Sequence, residues 1–193
     1  MLGPLLTTGP RRAELAKQEQ RAQHIHHDSR EQRAASNDIS MITRNPGNGE
    51  LVAELMRIAQ EEWDRFRQVV VRIHARGWAL GPERMVNYVN AFTACVRKDG
   101  DRDERLVDRL PFSAMIEARS CERFKLLTEE CPDPELRAFY QGLMESEAGH
   151  YATFIGFARK QGGRVDVDRR WKEFLAYEAV VVGRYGTAPT MHG

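Results

Sequence analysis

Apolar side chains recur at steps of three and four along most of this chain, the period of helices that bury one face. Leu51, Leu55, Ile58, Phe66, Val69 and Ile73 form such a stripe and predict a helix over 51–76, with Gly77 as its stop. A long polar segment, also read as helical, precedes it over about 11–43, and Asn45-Pro-Gly-Asn-Gly49 predicts a tight turn between the two. The stretch 78–102 holds Gly81-Pro82, a short helical run over about 84–96 and the turn Lys98-Asp-Gly-Asp101. A third long helix is predicted over about 103–130, where Cys131-Pro-Asp-Pro134 breaks it. A fourth runs over about 135–161 to Gly162-Gly163, and a last over about 166–182 precedes a tail containing Gly and Pro. No strand-like alternation competes. Tight turns join helices one to two and three to four, while about 25 residues separate helices two and three. Short–long–short connections predict an all-α, ferritin-like four-helix bundle with one long crossover and an extra C-terminal helix. The expected organisation is one domain over 1–193, its core at about 11–162 and the C-terminal helix and tail at 163–193. The last helix can pack on its own bundle or on another copy, so the pattern leaves the oligomeric state open.

Ionisable residues interrupt three of these stripes near mid-helix. The second helix reads Leu51, Leu55, Ile58, then Glu62 and Arg65, then Phe66, Val69 and Ile73. The third reads Leu110, then Glu117, then Cys121, Phe124 and Leu127. The fourth reads Tyr140, Leu143, then Glu147 and His150, then Phe154 and Phe157. An unpaired carboxylate on a buried face is costly, and several at one level repel unless cations or protons intervene. The carboxylates also repeat: Glu31 precedes Glu62 by 31 residues, and Glu117 precedes Glu147 by 30. Glu147-Ala-Gly-His150 is a Glu-x-x-His motif, whose two side chains share a helix face and can reach one ion. The matching residues of the first half are Glu62-Trp-Asp-Arg65, with arginine where histidine is expected. Two hairpins that each offer one Glu and one Glu-x-x-His would build a two-metal carboxylate site, for which iron or manganese is suited. A lone Glu-x-x-His is more often a solvated helix face, and a lone buried Glu is more often ion-paired. The repeat and the connection lengths favour metal.

Composition narrows the picture modestly. The chain has 193 residues, 41% hydrophobic and 30% charged, enough for a sizeable core. A net charge of +1 neither implies nor excludes a nucleic acid, which would need a local basic face. No apolar run approaches the roughly 18 residues of a membrane span. The first ten residues lack a basic segment followed by an apolar one, so no secretory signal is predicted. Three cysteines, Cys95, Cys121 and Cys131, without a Cys-x-x-Cys pair, predict reduced thiols in a cytoplasm. Arg119, Arg123, Lys125, Arg159, Lys160, Arg164, Arg169, Arg170 and Lys172 are candidates for a phosphate-binding face; a helical surface balanced by acids explains them as well. Cys121 reads as a small buried hydrophobe or pocket liner, and Phe124, Phe154 and Phe157 as core or as a greasy pocket.

Ile116-Glu-Ala-Arg-Ser-Cys-Glu-Arg-Phe124, Glu135-Leu-Arg-Ala-Phe-Tyr140 and Ser146-Glu-Ala-Gly-His-Tyr151 resemble the MiaE-type tRNA hydroxylases, ferritin-like di-iron monooxygenases. The resemblance continues through Glu31-Gln-Arg-Ala-Ala35, Glu61-Glu-Trp-Asp-Arg-Phe66, Tyr88-Val-Asn-Ala91 and Met191-His-Gly193. It implies hydroxylation of the isopentenyl group of a (methylthio-)isopentenyladenosine beside the tRNA anticodon. Two non-haem irons, dioxygen and external electrons from a reductase or ferredoxin would be required, tRNA would be the partner, and no membrane is implicated. By resemblance Glu31, Glu62, Glu117, Glu147 and His150 would be the metal ligands, with no catalytic residue apart from them.

Two positions depart from the family pattern. Arg65 stands where the family has a histidine ligand, and Arg30 where it has Cys before its ligand Glu. Arginine carries a permanent charge and no lone pair to donate. It can replace one metal's charge by a salt bridge among Glu31, Glu62 and a neighbouring carboxylate. That leaves a weak or absent first metal position and a better second one at Glu117, Glu147 and His150. His27, four residues before Glu31, is a candidate substitute nitrogen ligand. The competing reading is a metal-impaired bundle that keeps only tRNA or partner binding. Iron oxidation or peroxide reduction is a third possibility, without rubredoxin-like cysteine pairs to support it.

Overall fold

Asn45 and Asn48 make the first bend of the structure, a computed structural model that describes residues 34–75, 77, 79 and 87–185. The Asn45 amide Nδ2 donates to the Met41 carbonyl at 2.9 Å, and Asn48 Oδ1 accepts from the Leu51 N–H at 3.2 Å. The first bond closes helix α1, described over 34–44; the second caps helix α2, Gly49–Ala75. Further on come α3 (Asn87–Thr93), α4 (Arg102–Glu130), α5 (Pro134–Gln161) and α6 (Val167–Tyr185). No strand occurs among the described residues. Gly77, at φ +70°, ends the α2 segment in a backbone conformation that a side chain would strain.

The described residues fall into two compact units, one with α1 and α2, the other with α3 to α6. In the first, α1 buries Ala35, Asp38 and Met41, and α2 buries Leu51, Leu55, Ile58, Ala59, Glu62, Arg65, Val69 and Ile73. These α2 positions follow the predicted stripe, except that Phe66 is only half-buried and stacks on the exposed Trp63 at 5.1 Å.

In the second unit, α4 and α5 form the hairpin that matters for chemistry. Asp101 and Glu104 close a capping box at the start of α4. Asp133 accepts from the Glu135 and Leu136 N–H groups at the start of α5, and Pro134 sits at the first helical position. Phe124 and Leu127 of α4 pack with Leu136, Tyr140 and Leu143 of α5. Pro111 lies inside α4, which continues through it although the ring supplies no N–H to the turn before.

A polar lattice ties α3 and α6 to α4. Glu178, fully buried on α6, accepts from Arg119 Nε at 2.5 Å and Nη2 at 2.8 Å, and from the Tyr88 hydroxyl at 3.0 Å. Burial alone would lower the Arg119 pKa, but the Glu178 carboxylate overcomes it and raises it; burial and the same charge raise that of Tyr88. Asp108, also fully buried, accepts from Arg97 and Arg170, whose bonds hold its pKa down against the upward push of burial. Around this lattice Phe92 stacks on Phe112 at 5.3 Å and meets the Phe174 edge at 5.6 Å.

Replacing Glu178 by Gln removes the fully buried charge partner of Arg119 and leaves it the more exposed Glu122, so the unfolding free energy should drop by about 3 kcal/mol. A urea titration reads the change, and an unaltered midpoint would contradict the pairing. Asp38 tests a different effect. It is buried and makes no hydrogen bond among the described residues, and burial pushes its pKa from 3.8 up to about 8. The folded state holds a proton that the unfolded chain releases, so this contribution is complete below 3.8 and is lost as pH rises through about 8. Asp38→Asn should therefore be progressively more thermostable than the parent between those limits; parallel melting curves across that range would refute it.

Candidate metal centre

Glu117 sits near the middle of α4, and Glu147 and His150 occupy successive turns of α5. All three are buried, at 6%, 2% and 1% exposure. The hairpin brings one ligand atom from each to within 4.8 Å of the others. Flanking stripe positions explain the burial: Leu110, Ala114 and Phe124 on α4, and Tyr140, Leu143 and Phe154 on α5, are all in the core. Glu147 Oε2 and His150 Nδ1 are buried atoms outside any hydrogen bond, while other contacts hold both residues. Cys121, one turn beyond Glu117, is a half-buried free thiol, its pKa raised first by burial and then by the Glu147 charge.

Two carboxylates and one imidazole taken out of water form a strong cation trap. A divalent ion between them offsets both negative charges and accepts the imidazole lone pair. The donor set of this unit suits one iron or manganese ion.

Glu62 and Arg65 are placed in the other unit, on the buried face of α2. Arg65 Nη1 donates to Glu62 Oε1 at 2.9 Å, and its Nη2 lies 4.0 Å from Glu61 Oε2. Both partners of the close pair are buried, at 1% and 7% exposure. The guanidinium thus supplies at Glu62 the positive charge that a second metal and its histidine would supply, and it offers no lone pair. A two-iron centre with paired histidines does not fit this donor set. Glu31, Arg30 and the proposed substitute His27 lie outside the described residues.

Arg164, Arg169 and Arg170 line one pocket together with Arg97, where Asp166 and Glu173 balance part of their charge. Arg119 and Arg123 are buried, so neither adds to an exposed cationic surface. Arg159 pairs with Asp168 at 2.7 Å, while Arg169 and Arg170 both pair with Glu173. The sequence reading did not single out Asp108 and Glu178. A signal for the lattice existed, since Asp108, Pro111, Met115 and Arg119 fall at helical steps and form a second buried stripe on α4.

Comparison with known proteins agrees with this architecture. A family profile described as tRNA-(MS[2]IO[6]A)-hydroxylase (MiaE) matches residues 7–193. The tRNA 2-(methylsulfanyl)-N(6)-isopentenyladenosine(37) hydroxylase of Pseudomonas putida is 36% identical over 156 residues, covering 81% of this chain and 75% of that protein. A protein of the same description from Salmonella typhimurium is 31% identical over 140 residues, 72% of this chain and 50% of the relative. The chain thus aligns with about half the length of the Salmonella protein. Among solved structures, protein 43 with aldehyde deformylating oxygenase activity from Synechococcus superposes with a TM-score of 0.89 at 29% identity, covering 100% of this chain and 96% of that one. The fold is ferritin-like, all-α, with a long crossover and an extra C-terminal helix.

If Glu117, Glu147 and His150 share an ion, His150→Ala and Glu147→Gln should each lower bound iron at least tenfold by elemental analysis of the purified protein. Retention of iron by both variants would place the ion elsewhere.

Proposed function

The chain belongs to the MiaE family of tRNA hydroxylases, ferritin-like di-iron monooxygenases, and from that membership we propose that it recognises tRNA at a prenylated adenosine beside the anticodon with its oxygen chemistry impaired at one metal position. The buried Arg65–Glu62 pair carries this reading. Family membership implies a tRNA substrate and a redox partner in general; the prenylated base is the finer step proposed for this chain. Glu117, Glu147 and His150 would hold a single ion, and bound iron would supply dioxygen activation there. Glu31 and Glu62 complete the ligand set by family pattern, and Arg65 competes with metal for Glu62. No helix among the described residues is long and apolar enough to cross a membrane; a cytoplasmic setting with tRNA as partner is part of the proposal.

A second reading is favoured by the three buried candidate ligands that the α4–α5 hairpin brings together. In it the chain hydroxylates the isopentenyl group of the (methylthio-)isopentenyladenosine, with electrons from a reductase or ferredoxin.

One experiment separates the two. The chain and its Arg65→His variant are expressed in a host whose tRNA carries the prenyl group but whose own hydroxylase is deleted. Metal per chain and tRNA nucleosides are then measured by mass spectrometry. On the impaired reading the parent holds about one ion and leaves the base unhydroxylated, and Arg65→His moves the content toward two. Abundant hydroxylated nucleoside with the parent chain would establish the second reading instead.

A further inference from the structure

Three arginines are buried among the described residues, and two have an anion. Arg65 pairs with Glu62, and Arg119 with Glu178 and Glu122. Arg123, with 7% exposure, has no carboxylate within ion-pair reach among the described residues. Its Nη2 donates to Ser120 Oγ at 3.1 Å, and its Nε is a buried donor outside any hydrogen bond. The neighbouring Phe124 ring lies 5.7 Å from the guanidinium carbon.

A guanidinium withdrawn from water without a counter-charge is an expensive feature. Its planar donors match the oxygens of a phosphate better than any other common anion except a carboxylate. Ser120 extends the match, because its oxygen accepts from Arg123 and its hydroxyl hydrogen is left to donate. The place on the helix is informative. Arg123 follows Glu117 by six residues, an axial rise of about 9 Å on α4. Six residues also turn α4 by about 120°, so the two side chains leave neighbouring faces, a separation of the order that one nucleotide spans between its base edge and its backbone phosphate.

We propose that Arg123 and Ser120 form the seat for one backbone phosphate of the RNA, adjacent to the nucleotide whose base substituent reaches the Glu117–Glu147–His150 cluster. The inference rests on the functional reading above and adds to it the residues that fix the register of the substrate. Arg123 acts by binding and positioning; it does not touch the carbon to be oxidised.

The test uses the full chain and RNA hairpins with the sequence of an anticodon stem-loop containing isopentenyladenosine. In a matched series each hairpin carries a single neutral methylphosphonate near that base. For the parent chain, one such position should weaken binding about tenfold, and Arg123→Met should weaken binding of the unmodified backbone by a similar factor. The two changes together should do no more than either alone. The slope of log affinity against log salt should fall by about one for Arg123→Met, and Arg123→Lys should recover part of the loss. Thermal stability of Arg123→Met should equal or exceed that of the parent, because an uncompensated buried charge is removed. The proposal is overturned if Arg123→Met binds as the parent does, if stability falls along with affinity, or if the parent does not bind these hairpins. Equal binding of hairpins with and without the prenyl group would defeat the functional reading and leave the phosphate seat standing.

Discussion

Buried charge must be neutralised, and the structure is organised around the ways in which that is done. Carboxylates and guanidinium groups stand on helix faces that otherwise carry Leu, Ile, Val and Phe. Left alone, each would destabilise the fold by several kcal/mol. The α3–α6 unit answers twice with protein groups: Glu178 is met by Arg119 and Tyr88, and Asp108 by Arg97 and Arg170. The third cluster, Glu117, Glu147 and His150, gathers two acids and an imidazole within a few ångströms, and there a metal cation is the fitting counter-charge.

Arg65 belongs to the same logic and changes its outcome. Where a histidine would recruit metal, the arginine itself supplies the positive charge to Glu62. The two solutions are electrostatically similar and chemically different. A guanidinium holds a carboxylate in a dry interior but binds no dioxygen and passes no electron. A guanidinium at this position keeps the helix stripe intact while neutralising a carboxylate that a metal would otherwise neutralise. Arg123 is the case that the protein leaves unanswered within the described residues, and for that reason it points to an anion from outside.

Much of this was legible in the chain. Helix ends fell within a few residues of expectation because capping and breaking groups act locally: Asp133 and Pro134 start α5, and Gly77 ends the α2 segment. The burial of Glu117, Glu147 and His150 on one face of the α4–α5 hairpin followed from their interrupting apolar stripes. The pairing of Arg65 with Glu62 was also accessible, since three residues on one helix set the distance. Arg119 was misplaced on the surface because its partner, Glu178, lies 59 residues away on another helix. Arg123 and Arg119 look alike in a string of letters; only their surroundings separate them.

Helical periodicity, the repeated carboxylates and the missing histidine are properties of the sequence by itself, because hydrogen bonding to the residue four back and burial of one face act over a few turns. Which acid meets which base was decided by the tertiary structure. Pairing depends on the distance between side-chain atoms brought in by separate helices, and on how much water remains around them. Neither quantity exists until the helices have packed.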